Sequence, residues 1–368
     1  MVEKIKVGNR YIGEGEPVFI AAEISCNHLQ KKDYALKLIE EAKAAGADGV
    51  KFQTYTPDTI TADIDNEYFR IKGTLWEGKT LYELYNEAYT PWEWFPELKD
   101  KADEEGLIFF SSPFDETSVD LLEKLDCPIY KIASFEINHI PLLRYIASKK
   151  KPIILSTGVS TLEDIELALK SIREEGLEEI AVLKCTSAYP APVNEMNLAT
   201  IKDIKERFDV VPGLSDHTIN IMVTVVAVSM GAKIIEKHFM LDRKAGGPDA
   251  EFSLEPAEFK NMVKAVRDTE QMEPNELKEK IKSLGEVEQA IGKVNYELTE
   301  KVKNHKFFMR SIFVVKDMKE GEIFSRDNIR VIRPNKGMHP KYYSGILGKK
   351  AKKNIEKGTP LESNMVEE

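Results

Sequence analysis

Short apolar runs alternate with helix-like stretches from residue 18 to residue 271, and this alternation restricts the fold more than any other feature of the chain. Each run ends in polar residues, and many of the helix-like stretches end at glycine, where a left-handed cap is expected. The eight predicted strands are residues 18–25, 49–55, 108–114, 129–134, 152–158, 180–186, 210–215 and 234–239. Eight βα units in about 250 residues predict an α/β fold, a TIM (β/α)8 barrel. A doubly wound sheet competes, but it rarely needs eight equivalent units and the chain lacks its glycine fingerprint.

The predicted barrel domain covers residues 1–272 and includes a segment before the first strand. Two further segments follow this domain. Residues 4–12 alternate and turn like a small hairpin, which could plug the base of the barrel. Residues 273–304 are charged and mostly helical, as a linker is. Residues 305–368, which we call the C-terminal module, have the short strands and glycine turns of a small β-rich domain. At about 64 residues, the module would fold alone only marginally, so we expect it to lean on the barrel or on a second chain.

The charge and cysteine content restrict the class of partner. The formal net charge is −10, with acidic and basic residues interspersed, which argues against nucleic acid. The three cysteines form no CxxC pair and indicate a reducing compartment. The N-terminus is too polar for a signal peptide, and no apolar run approaches the length of a membrane span. We therefore predict a cytoplasmic protein with neither membrane nor nucleic acid as a partner.

Two histidines follow consecutive predicted strands near the middle of the chain. His217 ends one of these strands and His238 ends the next, so both would lie at the same end of a parallel barrel. Two imidazoles placed in this way can share one metal ion. They are too few for a structural site, so water and substrate would complete the coordination, as in a catalytic site. Mixed imidazole and oxygen ligation favours Mn or Mg as the divalent metal.

Other polar residues end nearly every predicted strand, where the active site of a TIM barrel lies. Lys51 and Lys131, with several serine hydroxyls, predict a pocket for a phosphate or a carboxylate. The serines are Ser112, Ser134, Ser156 and Ser215. Glu23 and Glu136 are candidate general acids or bases. Asp249, in a Gly-Pro loop after the last strand, could bind sugar hydroxyls or orient a metal-bound water, or it could serve the turn alone.

The segment between the second and third predicted strands is much longer than the other connections. Residues 56–91, which we call the lid segment, contain no predicted strand. They hold Trp76, Tyr82, Tyr85 and Tyr89, and Trp92 and Trp94 follow directly. Long loops in compact domains are usually functional or disordered, and this density of aromatic residues argues against disorder. A lid for substrate recognition is the favoured interpretation, and a packing insertion is the alternative.

These motifs, in this order, resemble the sialic acid synthase family of phosphoenolpyruvate-condensing enzymes. The matching runs are 22–28, 50–53, 111–114, 130–134, 156–158, 184–190, 213–217 and 236–238. The C-terminal module resembles the antifreeze-like (SAF) domain of that family. The resemblance implies a transferase that condenses phosphoenolpyruvate with an open-chain amino sugar and water, and releases phosphate by C–O cleavage.

The resemblance also implies roles for individual residues. Phosphoenolpyruvate is held by Lys51, Lys131, Ser112, Ser134, Ser156, Ser187 and Ser215. The metal on His217 and His238 polarises the sugar aldehyde. The sugar is contacted by Gln53, Tyr189 and Asp249.

The implied base for the water that adds at C2 is Glu23 or Glu136, and the choice stays open at this point. In this family the C-terminal module crosses to the barrel of a second subunit. The resemblance therefore implies a domain-swapped homodimer in which Arg333 reaches the sugar site of the other subunit.

Loop sequences resemble the pseudaminic acid synthase branch of the family. These are residues 73–76, 81–85, 90–94 and 333–340. Ser187 also stands where the sialic acid branch often has asparagine. The implied sugar is 2,4-diacetamido-2,4,6-trideoxy-altrose, whose acetamido groups and 6-methyl would suit an aromatic lid.

Other functions remain open on the sequence. The same chemistry could act on N-acetylmannosamine or on the legionaminic acid precursor. A Schiff-base aldolase with Lys131 or Lys184 as nucleophile would need neither metal nor phosphoenolpyruvate. A non-enzymatic alternative is an ice- or glycan-binding module on an inert barrel, although the populated strand ends argue against inertness.

Overall fold

The computed structural model describes residues 2–73 and 76–367 of the chain. Its strands are β1 (Lys4–Val7), β2 (Arg10–Gly13), β3 (Phe19–Glu23), β4 (Gly49–Thr54), β5 (Ile108–Pro113), β6 (Tyr130–Ile132), β7 (Ile153–Ser156), β8 (Ile180–Cys185), β9 (Val211–Asp216), β10 (Ile234–His238), β11 (Ser311–Val314) and β12 (Ile329–Ile332). Its α-helices are α1 (Lys32–Ala44), α2 (Pro57–Ile60), α3 (Leu81–Ala88), α4 (Phe95–Glu104), α5 (Glu116–Lys124), α6 (Ile140–Ser148), α7 (Leu162–Glu174), α8 (Thr200–Phe208), α9 (Met222–Ser229), α10 (Pro256–Glu270), α11 (Pro274–Ser283), α12 (Glu300–His305) and α13 (Tyr343–Ile346).

Strands β3 to β10 form a closed parallel barrel in sequence order, with β10 pairing back onto β3. This confirms the predicted TIM barrel. The register of the strands decides which strand ends meet. Glu23 on β3 is the direct partner of Lys51 on one side and of His238 on the other, and Ser215 on β9 is the partner of Glu236. Residues predicted separately on neighbouring strands are thus brought side by side.

The hairpin β1–β2 closes the amino-terminal end of the barrel, as predicted. Its two strands pair antiparallel, and the side chains of Ile5 and Ile12 are fully buried. The backbone N–H of Lys6 donates to Glu179 (3.1 Å), just before β8, and that of Val2 donates to Asp209 (2.8 Å), just before β9. The opposite, carboxyl-terminal end is therefore the open one.

The lid segment is an ordered part of the structure and contains α2 and α3. Thr80 caps α3, because its hydroxyl accepts from the N–H of Glu83 (3.2 Å) while the Glu83 carboxylate accepts from the N–H of Thr80 (2.8 Å). Among the described residues of the segment there is no strand, only an isolated bridge between Arg70 and Thr80. Thr74 and Leu75, part of the motif at 73–76, lie outside the described residues.

The C-terminal module covers the open end of the barrel. Its strands β11 and β12 pair antiparallel over a small core of its own. A second apolar cluster joins the module to the lid segment, because Phe313 and Ile332 of the module pack with Phe69 and Leu81. The module thus leans on the barrel and lid of its own chain.

The segment predicted as a linker, residues 273–304, divides into two parts. Helix α11 and the short helix at residues 285–291 pack on the barrel, where the carbonyl groups of Ala290 and Ile291 accept from the N–H groups of Leu198 and Ala199 (both 2.8 Å). Residues 292–304 then run to the module. Among the described residues, no helix is both long and apolar enough to cross a bilayer.

Candidate active site

A cavity of about 930 Å³, counting its open mouth, lies at the carboxyl ends of the barrel strands. About half of the lining residues are polar, and we call them the polar half of the lining: Glu23, Ser25, Lys51, Gln53, Lys131, Ser134, Ser156, Ser215, His217, Glu236, His238, Asp249 and Arg333. The apolar half consists of Tyr55, Ile60, Trp76, Leu84, Tyr85, Ala88, Phe114, Phe135, Tyr189, Phe252 and Phe308. The polar half comes almost entirely from strand ends, and much of the apolar half comes from the lid segment.

The floor of the polar half is a buried network of four charged groups. The ammonium of Lys51 lies 2.7 Å from the Glu23 carboxylate and 3.7 Å from that of Glu236. The ammonium of Lys131 lies 3.2 Å from Glu236, and the Ser215 hydroxyl donates to the same carboxylate oxygen (3.2 Å). Two positive and two negative charges therefore balance one another. An anionic substrate would compete with the carboxylates for the lysines.

Burial separates the protonation behaviour of the two carboxylates. Desolvation raises the pKa of Glu23 to about 7, although the Lys51 ammonium opposes the shift. Desolvation acts on Glu236 as well, but the ammonium groups of Lys131 and Lys51 outweigh it and lower its pKa. One carboxylate can therefore exchange a proton near neutral pH while its neighbour stays ionised, which is how paired acids take different roles.

Glu236 was among the polar strand ends of the sequence but had no predicted role. The signal was present, because Glu236 precedes His238 by two residues on the same strand, and alternate residues of a strand face the same side.

The two histidines meet as predicted. Their ring centroids are 5.3 Å apart. The Nδ1 atom of His217 lies 3.1 Å from the Thr186 carbonyl oxygen, which leaves its Nε2 for another partner. The Nδ1 atom of His238 is buried and has no hydrogen-bond partner within the part of the chain that the structure describes. It lies 3.6 Å from the carboxylate of Asp249, which in turn accepts from the Ser25 hydroxyl (2.5 Å).

This donor set fits a divalent metal with open coordination positions. An orphaned buried imidazole nitrogen, a second imidazole and a nearby carboxylate are the mixed ligands that suit Mn or Mg. Within residues 2–73 and 76–367, no three histidine, cysteine, aspartate or glutamate side chains are arranged to enclose an ion by themselves. Solvent or substrate would have to supply the remaining ligands.

Three of the predicted site residues do not line the cavity. The Ser112 hydroxyl is 3.5 Å from the Lys51 ammonium and supports that lysine from behind. Ser187 packs against the loop after β7, where a β-carbon on Gly158 would lie only 2.1 Å from its hydroxyl. The third, Glu136, is fully buried and is held by Arg310 and Arg333.

Arg333 reaches the cavity from the module of its own chain. Its guanidinium donates to Glu136 (2.6 Å) and to the hydroxyl of Tyr85 (2.9 Å). The resemblance implies that Arg333 reaches the sugar site of a second subunit. A single chain is described, and in it Arg333 lies in the cavity of its own barrel. Exchange of the module between two subunits therefore stays a prediction.

The two lysines of the Schiff-base alternative lie in different places. Lys131 is in the cavity, paired with Glu236. Lys184 instead lines a separate, smaller cavity with Glu195 and Tyr296 and donates to the Cys185 carbonyl oxygen (3.2 Å). Lys184 is therefore outside the candidate site.

Comparisons with known proteins define the class. The NeuB family model matches residues 38–278, and the SAF domain model matches residues 309–367. The chain belongs to the NeuB family, whose synthases condense phosphoenolpyruvate with sugars.

Three similar proteins are informative about the branch of the family. A pseudaminic acid synthase of Campylobacter jejuni (serotype O:2, strain NCTC 11168) is 44% identical over 97% of this chain and 98% of the relative. The N,N'-diacetyllegionaminic acid synthase of the same strain is 37% identical over 92% of this chain and 96% of the relative. The crystal structure of the spore coat polysaccharide biosynthesis protein SpsE from Bacillus subtilis has a TM-score of 0.82 and 35% identity, and covers 99% of both chains.

Proposed function

We propose that the chain is a pseudaminic acid synthase, which condenses phosphoenolpyruvate with 2,4-diacetamido-2,4,6-trideoxy-altrose and water and releases phosphate. The observation that carries the proposal is that one cavity combines a set of lysine and imidazole groups with a set of aromatic and aliphatic side chains. The first suits a small, highly charged acid, and the second suits a sugar that carries methyl groups. The greater identity to the pseudaminic than to the legionaminic enzyme of one strain supports this choice of sugar.

The lysines would bind the phosphate and carboxylate of phosphoenolpyruvate. Lys51 and Lys131 are the buried cations of the polar half, and Ser134, Ser156 and Ser215 add hydroxyl donors beside them. Among the described residues the Ser156 hydroxyl has no hydrogen-bond partner, which is what a group that binds a substrate oxygen would show. Ser112 and Ser187 would act through their neighbours.

Glu23 is the better candidate for the base. C3 of phosphoenolpyruvate forms a bond to the aldehyde carbon, and positive charge develops at C2. The oxygen of the former aldehyde becomes an alkoxide. Water then adds at C2 and passes one proton through Glu23 to this alkoxide, and the C2–O bond to phosphate breaks as the new C2 hydroxyl gives its proton to the departing phosphate, which leaves a 2-keto acid. Glu23 lines the cavity and has a pKa of about 7, whereas Glu136 is enclosed by two arginines. The ionised Glu236 would stabilise the charge at C2.

A divalent metal, Mn or Mg, held by His217 and His238 would polarise the sugar aldehyde and so favour attack at its carbon. The orphaned His238 nitrogen and the nearby Asp249 support this assignment. Chelation is expected to abolish phosphate release, and added Mn²⁺ is expected to restore it. Calorimetry should show Mn²⁺ binding that a His238→Ala variant loses.

The sugar would lie between the two halves of the cavity. Gln53, Tyr189 and Arg333 line the cavity, as does Asp249, and all four offer polar atoms for sugar hydroxyl or acetamido groups. Leu84 and Ala88, on one face of α3, would pack against methyl groups of the sugar.

The test is a product assay by mass spectrometry with phosphoenolpyruvate, Mn²⁺ and one sugar at a time. The sugars are the altrose derivative, N-acetylmannosamine and the legionaminic acid precursor. We expect product from the altrose derivative. Product only from one of the other two would retain the chemistry and overturn the substrate assignment. No phosphate release from any sugar, with metal bound, would overturn the proposed chemistry itself.

We propose further that the enzyme works in the cytoplasm as a homodimer. Cys26, Cys127 and Cys185 are all free and buried, which suits a reducing compartment. The dimer rests on the family resemblance alone, and in it each module could make the same contacts with the barrel of the partner.

A further inference from the structure

Arg310 is a fully buried arginine that the proposed reaction does not use. It lies just before β11, at the point where the C-terminal module begins. Its guanidinium donates to the Glu136 carboxylate (3.1 Å), to the Ile60 carbonyl oxygen of the lid segment (3.0 Å) and to the Phe114 carbonyl oxygen after β5 (3.0 Å). One side chain therefore joins the barrel, the lid segment and the module.

The backbone of Arg310 is held as firmly as its side chain. The Asn138 side chain donates to the Arg310 carbonyl oxygen (2.8 Å) and accepts from its N–H (3.3 Å). Asn138 is itself buried and follows Glu136 by two residues. The guanidinium therefore has little freedom to leave Glu136, because the start of the module is anchored beside that carboxylate.

Arg310 and Arg333 share two acceptors. The same carboxylate oxygen of Glu136, Oε1, accepts from both guanidinium groups, at 3.1 Å from Arg310 and 2.6 Å from Arg333. The Ile60 carbonyl oxygen accepts from the Arg310 guanidinium and from the backbone N–H of Arg333, each at 3.0 Å. The position of Arg333 is thus defined by groups that Arg310 holds in place.

The charges of this cluster do not cancel. Glu136 supplies one negative charge and the two arginines supply two positive ones, so one positive charge is left over. Only Arg333 of the three lines the cavity, and it therefore presents that charge to a substrate. Without Arg310, Glu136 and Arg333 would form a neutral pair, and Glu136 would largely neutralise the positive charge at the cavity.

We propose that Arg310 is a positioning residue for the sugar end of the cavity, which fixes Arg333 and keeps its charge available to an oxygen atom of the sugar. The proposal rests on the proposed function, because it takes Arg333 as a contact of the sugar in the cavity. Arg310 would touch no substrate itself, and its effect would pass through Glu136 and Ile60.

The test compares Arg310→Met, which keeps length and apolar volume, with Arg310→Lys, which keeps the charge. For Arg310→Met we expect the KM for the sugar to rise about tenfold or more, the KM for phosphoenolpyruvate to stay unchanged and kcat to fall less, as the loss of one buried charged hydrogen-bond partner implies. Arg310→Lys should recover part of the sugar KM. An unchanged sugar KM in Arg310→Met would overturn the proposal.

Arg330→Met is the matched control for a purely structural role. Arg330 also lies in the module and donates to the lid segment, at the carbonyl oxygens of Asp58 (2.6 Å) and Thr61 (3.4 Å). It has no contact with Glu136 among the hydrogen bonds and ion pairs of the described residues. If Arg330→Met raises the sugar KM as much as Arg310→Met does, Arg310 merely holds the module in place.

A readout without substrate separates this proposal from the proposed function. Hydrogen exchange of the Arg333 amide, which donates to the Ile60 carbonyl oxygen, should accelerate in Arg310→Met and stay unchanged in Arg330→Met. A wild-type enzyme that forms no product would overturn the proposed function, whereas unchanged exchange in Arg310→Met would overturn the positioning role whatever the wild-type activity.

Discussion

The floor and the roof of the cavity are built in different ways. The floor consists of Glu23, Lys51, Lys131 and Glu236, which sit on regular strands of the barrel. The parallel register pairs Glu23 with Lys51, and closure of the barrel brings Lys131 of β6 to Glu236 of β10 across its interior. The roof consists of the lid segment and the C-terminal module, which are more than two hundred residues apart in the chain. The floor holds paired charges and suits the common chemistry of the family, and the roof holds apolar side chains and suits the choice of sugar.

The largest loss of activity is expected for a substitution in the floor. Lys131→Met would leave Glu236 as a buried carboxylate with one cation fewer, and would remove an anchor for phosphoenolpyruvate. We expect kcat/KM to fall by a factor of about a thousand, from the measured worth of buried charge pairs. Phosphate release under saturating sugar measures it.

Lys184→Met is the matched control for that change, because Lys184 lies on the next strand but one and lines a different cavity. It should retain near-normal activity. Equal losses in the two variants, or a borohydride-trapped adduct on Lys131, would favour the Schiff-base alternative instead.

The second largest loss of activity is expected for the base, and it tests whether Glu23 or Glu136 has that role. Glu23 must be ionised to accept a proton, so wild-type activity should rise as the pH increases through about 7, the pKa to which burial raises this group. Glu23→Gln should lower kcat by a factor of about a hundred or more and remove this dependence, as loss of a general base does. A pH profile of kcat measures both.

Glu136→Gln serves as the comparison for the base. It should keep the dependence on pH and change mainly the KM for the sugar, because Glu136 contacts Arg333 and lies outside the cavity. If the rise through neutral pH disappears in Glu136→Gln and persists in Glu23→Gln, the two roles are reversed.

A smaller change in activity, on mixing two variants, tests whether the roof and the floor of one cavity belong to the same chain. Arg333→Ala and Glu23→Gln are each expected to be impaired, and the two proteins can be denatured and refolded together. If the module serves its own barrel, as in the structure, the mixture should be no more active than its components. A gain of activity on mixing would show that modules are exchanged between subunits of a homodimer.

The smallest effect should come from the apolar wall of the roof. Leu84→Ala removes carbon atoms that line the cavity. The KM for the sugar should rise about four- to fifteenfold, from the loss of one or two carbon contacts with the sugar at about 0.8 kcal/mol each. The KM for phosphoenolpyruvate should not change. Leu81→Ala is the control, because Leu81 is buried in the lid segment but does not line the cavity. Equal shifts in the two variants would mean that the lid acts only through its packing.

Much of the floor could be predicted from the sequence. The polar residues that close each apolar run, such as Lys51 and His217, must gather at one end of a parallel barrel, because parallel strands bring their carboxyl ends to the same edge. Glu236 could have been assigned by the same argument, since it shares a strand face with His238. Ser187 shows the limit of the argument, because a residue after a strand end can turn either into the cavity or into a loop.

The roof was less predictable. The aromatic content of the lid segment indicated recognition, but the sequence could not show that α3 faces the cavity or that its neighbours pack on the module. In the sequence, Arg310 is an ordinary basic residue before a strand. Its burial follows only because the barrel, the lid segment and the module pack together around it. The choice between Glu23 and Glu136 has the same origin, because both follow barrel strands and only the module supplies the arginines that enclose Glu136.

The sequence by itself therefore determined the barrel, its polar strand ends and the likeness to the family, because strand periodicity and short-range register are local properties of the chain. Only the tertiary structure decided which of these residues face the cavity, which carboxylate remains free to move a proton, and which groups hold Arg333. Those outcomes depend on desolvation and on contacts between segments far apart in the chain, and the energy of a buried charge is set by every group around it.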